Sequence, residues 1–355
     1  MIPLLSRRSL LQQAAALPAL RLPKKIRLVL IGLQGHPGEV YGQLDRLPDV
    51  EFAGLSNSDE KEAAALRRRP RFAAAPFYAD WRAMLDKEKP DLVAICNAGG
   101  PPRVEVILEA TRRGLPWIAE KPLANDRAGL DRVRAALKKN PVPFSMLLPM
   151  RFDPSYRALH DLARSGQLGE IGQISSQKSY KSGDRPEWMR NPVTYGGTIA
   201  WIGIHMIDLM RYTSGREFVE AFSFQSQVAA PAGIGRMENT TGTVFRMDNG
   251  GVATLHMDYY RPDSAVTHGD DRLRLAGSKG VAEYMEATGV TLIAEGRKPE
   301  RLTNLPPRGS VFLDFVESLY LGRKSDLTSG SIFRNCEATI AAQESARLGR
   351  PVKIA

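Results

Sequence analysis

The chain has 355 residues, of which 43% are hydrophobic and 25% charged, the make-up of a soluble globular protein with room for about two domains. No apolar run approaches the ~20 residues of a bilayer-spanning helix, so no membrane anchor is expected. The formal charge of +10 is dispersed; its densest cluster, RRRPR at 67–71, has no interleaved aromatics and reads as a solvated face, which argues against a nucleic-acid partner. Cys96 and Cys336 lack metal-type spacing, so neither a zinc site nor a disulfide framework is expected.

The first segment, SRRSLLQQAAALPAL (6–20), pairs Arg7 with Arg8 ahead of a short, weakly apolar stretch ending in small residues. It resembles a twin-arginine export signal, a receptor-read address rather than an anchor. The expectation is a signal over 1–22 and a periplasmic protein carried there already folded, so that a cofactor can travel tightly bound. The alternative is a cytoplasmic protein with a frayed basic end.

IRLVLIGL (26–33) is a run of branched aliphatics, as in a parallel strand buried on both faces. It enters a glycine turn, GLQGHPG (32–38), followed by a helical stretch at 39–47 and a second strand, VEFAGLSN (50–57). This is the opening of a Rossmann fold, in which glycines let the backbone approach a pyrophosphate. Gly32, Gly35 and Gly38 are evenly spaced by three rather than in the usual G-x-G-x-x-G, and the same glycines would also suit a plain tight turn. Gln34 and His36 lie in that turn, His36 as a cap or phosphate contact. The acidic residue that binds the adenosine ribose in NAD proteins would fall at Asn57; asparagine does not repel a 2′-phosphate, so NAD is favoured over NADP only slightly. Asp59 is a displaced substitute for that carboxylate or simply loop.

The alternation continues with a helix at 80–88, a strand at 91–97, a helix at 104–114 and a strand over 116–124 that ends in Glu120-Lys121-Pro122. Helices alternating with aliphatic strands predict a parallel sheet. Cys96 and Asn97 then fall at a strand's C-terminal end, where such sheets bind ligands.

From about residue 150 the pattern changes. Segments 172–182, 219–229, 240–249 and 251–260 alternate as antiparallel strands, with a hairpin turn at Asp248-Asn249-Gly250-Gly251. Between the first two lies GDRPEWMRNPVTY (183–195), suited to a lid over a polyhydroxylated ligand; Tyr180, Arg185, Trp188 and Arg190 are substrate contacts or ordinary surface. Tyr259, Arg261 and His268 are weaker candidates. The helical stretch at 199–213 places Trp201, His205 and Asp208 on one face.

At WIAEKPLA (117–124) the pattern becomes recognisable. A Rossmann unit, a strand ending in Glu-Lys-Pro, R-F-x-P-x-Y from Arg151 to Tyr156, L-G-E-I-G at 168–172 and G-G-x(7)-H-x-x-D from Gly196 to Asp208 together resemble the Gfo/Idh/MocA family of oxidoreductases. LRLAGSKGVAEY (273–284) and ESARLGRPVKI (344–354) extend the resemblance to the C-terminus. It implies an N-terminal Rossmann domain, here 23–147, and a C-terminal α/β domain with an open, mainly antiparallel sheet, here 148–355, in which a helix near 332–348 packs at the junction. It also implies a homo-oligomer and hydride transfer between NAD or NADP and a small carbohydrate-like alcohol or ketone.

Carried over, Lys121 and His205 sit at the nicotinamide. His205 then acts as proton acceptor, Lys121 assists at the reacting oxygen, and Glu120 orients the lysine. The cofactor set is Gly32, Gln34, Gly35, His36, Gly38, Asn57, Asn97, Glu120 and Lys121. The substrate set is Arg151, Tyr180, Trp188, Arg190, Trp201 and Asp208. Many members carry an aspartate four residues before the histidine; here that position is Trp201, whose flat face suits a sugar ring or an aglycone. Asp208 takes over the orienting role or is a residue hydrogen-bonded within the core. Two alternatives follow: an NAD-dependent glycosidase working by transient oxidation and elimination, and a non-catalytic nucleotide-binding sensor.

Overall fold

The computed structural model describes residues 19–57, 60–230 and 234–354. The arginine pair at 7–8 and Asp59 lie outside the described residues. Six strands, β1 (Ile26–Ile31), β2 (Val50–Ser56), β3 (Phe77–Tyr78), β4 (Leu92–Ile95), β5 (Trp117–Ala119) and β6 (Phe144–Met146), form one parallel sheet in the order β3-β2-β1-β4-β5-β6. This is the doubly wound order, in which the ligand crevice lies beyond the carboxyl ends of the strands where the winding reverses, between β1 and β4. β1 and β4 are almost wholly buried, which explains why their sequences are unbroken aliphatic runs.

The helices Trp81–Glu88 and Pro101–Arg112 lie close to the spans expected from periodicity. The stretch 39–47 departs from expectation. It is one α turn, Gly38–Tyr41, ended at Gly42, and then a 3₁₀ turn, Leu44–Arg46. The two strands that lead to the site are also shorter than expected, since β4 stops at Ile95 and β5 at Ala119. Asn97 and Glu120-Lys121-Pro122 therefore stand beyond the ladder, in the crevice rather than in the sheet.

The second domain is built on β7 (Ile171–Tyr180), β8 (Phe218–Ser226), β9 (Thr240–Met247), β10 (Val252–Asp258), β11 (Gly269–Gly277), β12 (Gly280–Met285), β13 (Gly289–Ala294), β14 (Glu300–Arg301) and β15 (Val352–Lys353). Their order is β14-β13-β12-β11-β7-β10-β9-β8-β15, antiparallel except for the β7–β10 pair. The Asp248–Gly251 turn joins β9 to β10, with Gly250 at φ 86° where a side chain would be strained. The helices Pro154–Arg164 and Ile204–Ser214 cover one face of this sheet and bury Leu159, Met206 and Met210.

Periodicity had not picked out the helix Val311–Leu321, which returns to the first domain and adds Val311, Phe312, Phe315 and Val316 to its core. The helix Ser329–Leu348 serves both cores. Ile332, Cys336 and Ile340 pack with the parallel sheet, and Ala338, Ala341 and Ala342 with the antiparallel one. Among the described residues no helix is long and apolar enough to cross a membrane, and no cluster of His, Cys, Asp and Glu could hold a metal. Cys96 and Cys336 are free and buried.

Candidate active site

The crevice begins at the glycine turn. Gly32 and Gly35 have φ of 82° and 76°, a conformation open to glycine at little cost. A Cβ on Gly32 would come within 2.4 Å of Asn97 Cα and Cys96 O, so only glycine lets β1 turn against the end of β4. A Cβ on Gly35 would lie 2.4 Å from Glu120 Cδ. The turn is thus folded directly onto the Glu-Lys-Pro segment. Beside it, a cavity of about 280 Å³ is lined by Leu33, Pro37, Tyr41, Glu62, Ala65, Leu66 and Arg69. The side-chain oxygens of Gln34 and Asn97 are buried without a protein partner at the same strand ends. A glycine cradle, an adjoining groove and orphaned acceptors together fit a dinucleotide.

Glu120 and Lys121 are fully buried at the centre of the crevice. Arg103, also buried, ties their loop down: it donates to Lys121 O at 3.0 Å, Pro122 O at 2.9 Å and Asn97 O at 2.6 Å. The Lys121 ammonium donates to Trp201 O at 2.6 Å, lies 3.5 Å from Glu120 Oε1 and sits 3.2 Å from the centroid of the Trp201 ring. Burial lowers its pKa to about 7, Glu120 opposing and Arg103 reinforcing the effect. Glu120 in turn faces His36, whose Nδ1 lies 2.9 and 3.1 Å from its two oxygens and whose backbone N–H donates to it at 3.0 Å. Burial raises the Glu120 pKa, but His36, Lys121 and Arg103 outweigh it and hold the carboxyl below its usual value.

His205 enters from the other domain, on the second residue of the helix Ile204–Ser214. The turn before it, Ile199–Gly203, is a π-helix rather than the continuous α-helix expected over 199–213. Such single π turns recur at functional sites because they re-aim side chains without ending the helix. His205 is 6% exposed, its Nδ1 has no protein partner, and its ring meets that of His36 edge-on at 5.1 Å. Burial, then Lys121, His36 and Lys178, push its pKa well below 6.5, so the imidazole is neutral at neutral pH.

Comparison with known proteins identifies the family. The profile of the oxidoreductase family with an NAD-binding Rossmann fold matches residues 26–147, and that of the GFO/IDH/MocA C-terminal domain matches residues 156–283. The chain belongs to the Gfo/Idh/MocA family. Myo-inositol 2-dehydrogenase of Thermotoga maritima is 24% identical over 275 residues, 76% of this chain and 79% of that one. D-glucoside 3-dehydrogenase of Escherichia coli is 28% identical over 185 residues, 50% of this chain and 51% of that one. A solved structure described as an oxidoreductase from Thermotoga maritima superposes with a TM-score of 0.85 at 30% identity, covering 93% of this chain and 100% of that one.

The family motifs do not all converge on the crevice. Gly32, Gln34, Gly35, His36, Asn97, Glu120, Lys121, Trp201 and His205 do, and Gly38 opens the short helix after the turn. Asn57 lies at the end of β2, donating to Glu62 Oε2 at 3.2 Å. His36, expected as a cap or a phosphate contact, is held by Glu120 beside His205, because Gly35 lets the turn fold inward. Asp208 and Arg151 pair with each other: Arg151 donates to Asp208 Oδ2 at 3.0 Å and to Oδ1, and also to Asp326 O at 2.8 Å and Ser331 Oγ at 3.1 Å. Among the described residues, Asp208 therefore orients Arg151 and not His205. Trp201 turns its ring face to Lys121 instead of leaving it open for a sugar.

Trp188 packs edge-on against Trp201 at 4.7 Å, while Arg190 is paired with exposed Asp184 at 2.7 Å. Tyr180 stacks on His268 at 5.3 Å, Arg185 lies 4.6 Å over the Tyr259 ring, and Arg261 donates to Thr267. Sequence reasoning missed Arg103, Glu62 and the buried pair Lys178–Asp271, whose Nζ–Oδ2 separation is 2.6 Å. Lys178 and Asp271 sit opposite each other on β7 and β11. Charged residues at inward positions of two alternating strands were the available signal for that pair.

Proposed function

We propose that this protein is an NAD-dependent dehydrogenase of a sugar or polyol, oxidising a secondary alcohol with Lys121 as proton acceptor. The observation that carries the reading is the convergence of Lys121 from the Rossmann domain and His205 from the second domain on one buried point, with Glu120 behind the lysine. A nicotinamide bound in the crevice would supply the hydride acceptor. Removing hydride from an alcohol carbon requires the hydroxyl proton to leave too, and a base tuned near neutrality does this best. Lys121, held at about 7, meets that requirement. His205, neutral and with its Nδ1 unpartnered, is suited to hydrogen-bonding the reacting oxygen and orienting it. The roles of the two residues are thus the reverse of those expected from unperturbed pKa values.

For the cofactor, Glu62 stands where Asn57 meets it at the edge of the adenosine-side cavity, and its carboxylate disfavours a 2′-phosphate. That supports NAD over NADP. The dehydrogenases of inositol and glucosides among the relatives support a polyhydroxylated substrate. Trp201, which would suit an aglycone subsite in the glycosidase alternative, turns a ring face to Lys121.

The test has two steps. Protein purified without added nucleotide is denatured and the released ligand identified by mass spectrometry; stripped protein is then titrated with NAD and NADP and assayed with myo-inositol, aldoses and glucosides. Tighter NAD binding and nicotinamide reduction that disappears in Lys121→Ala support the reading. Nucleotide binding with no redox turnover would favour a sensor. Export through Arg7 and Arg8 is part of the proposal and is checked by fusing residues 1–22 to a reporter that must fold before transport; retention in the cytoplasm would remove it.

A further inference from the structure

Lys121, Glu120 and His205 are all sealed from solvent, which poses a problem for an enzyme that must discharge a proton in every turnover. Lys121 and Glu120 are 1% and 0% exposed, and His205 is 6% exposed. Trp201 closes the lysine from one side with its ring and with its carbonyl. Among the described residues, the titratable side chain that contacts this cluster and reaches water is that of His36, 31% exposed. It is joined to Glu120 by three contacts of 2.9 to 3.1 Å, from Nδ1 to both oxygens and from its backbone N–H. That geometry depends on Gly35, where any side chain would strike the Glu120 carboxyl.

Resting on the dehydrogenase reading, we propose that Glu120 and His36 form the proton exit of this site, carrying the substrate's proton from Lys121 to solvent. The alcohol O–H breaks, its proton goes to the neutral Lys121 amine, and the electron pair of that bond forms the carbonyl as hydride passes from the carbon to an oxidised nicotinamide, the acceptor that the dehydrogenase reading requires. The Lys121 ammonium passes that proton to Glu120 Oε1; with His36 as its Nε2–H tautomer, Glu120 passes it to the free Nδ1, water takes the Nε2 proton, and exchange of the ring with water restores the starting tautomer. One proton enters and one leaves. His36 touches no reacting atom; it is a positioning residue that acts through Glu120. The other titratable groups around the pair are Cys96 at the end of β4, Arg103 on the helix Pro101–Arg112, His205 on the helix Ile204–Ser214, and Lys178 on β7. None of them offers a solvent-open route: Cys96, Arg103 and Lys178 are fully buried, and His205 nearly so.

The first readout needs neither cofactor nor substrate. In protein labelled with ¹⁵N-lysine, the Lys121 ammonium signal is assigned by its loss in Lys121→Arg, and its hydrogen exchange with water is measured. His36→Asn keeps a polar amide where Nδ1 stood but cannot pass a proton on; we expect Lys121 exchange to slow by roughly tenfold or more, with surface lysines unchanged. Unchanged or faster exchange would overturn the relay. His36→Gln, which keeps the polar edge at Nε2 instead, serves if the first variant does not fold, with the same expectation. Calorimetric NAD affinity supplies the second readout. Affinity within about twofold of wild type supports a relay residue, whereas a loss of about 1.4 kcal/mol, tenfold, makes His36 a cofactor ligand and refutes the inference. A wild-type chain that binds no nucleotide sinks the dehydrogenase reading alone, because the exchange rates still report the route.

Discussion

Arg103 is the residue on which the shape of the site depends most, and its replacement by methionine tests that claim. Its guanidinium is buried and gives three hydrogen bonds, to the carbonyls of Lys121, Pro122 and Asn97. Burial lowers its pKa to about 10, with Glu120 and Cys96 opposing, so it stays charged at neutral pH. Methionine fills much of the volume but leaves three buried carbonyls without their donor, each costing about 1–3 kcal/mol. Relief of the guanidinium's desolvation offsets part of this, and the net loss expected is about 3 kcal/mol, at the low end for removing one partner from a buried charged network. Urea unfolding followed by tryptophan fluorescence measures it. The same change removes a cation that depresses Lys121, so the rising limb of kcat/KM against pH should move above about 7. A stability loss under about 1 kcal/mol, or a limb displaced downward, would show that Arg103 does not hold the Glu-Lys-Pro loop.

Three further outcomes follow from the same structure. Lys121→Met should abolish turnover yet stabilise the protein by about 1–3 kcal/mol at neutral pH, because the buried amine is a liability: its pKa falls from 10.5 unfolded to about 7 folded. The unfolded chain binds a proton that the folded one lacks between those values. Wild-type stability should therefore gain a contribution as pH rises from about 7 toward 10.5, and that contribution should vanish in the variant when chemical unfolding is compared across the window. Gly35→Ala should cost more than about 2 kcal/mol, from positive φ plus the clash with Glu120, and should reduce turnover even where NAD still binds; activity near wild type would refute the inward fold of the turn. Asp208→Ala should cost about 3–5 kcal/mol by stranding Arg151. Its KM should be little changed in protein that remains folded, and a large rise in KM would place Asp208 at the substrate after all.

The sequence by itself determined the two-domain order and the parallel and antiparallel sheets, and its family resemblance singled out Lys121 and His205. Each of these is written in local periodicity or in a short motif: β1 and β4 are apolar on both faces, β7 to β10 alternate, and Glu-Lys-Pro follows a strand. What only the tertiary structure decided is how these residues meet. The π turn at Ile199–Gly203 has no periodic signature, because it shifts the helix by a single residue, yet it sets where Trp201 and His205 point. Asp208 and Trp201 share a helical face with His205 in sequence. Their partners, Arg151 and Lys121, come from segments 57 and 80 residues away, a distance over which spacing carries no information. The pKa of Lys121 was likewise outside the reach of sequence, since it is set by burial between two domains. For the same reason Arg103, an ordinary arginine just ahead of the expected helix when read along the chain, proves to be the clamp on the site.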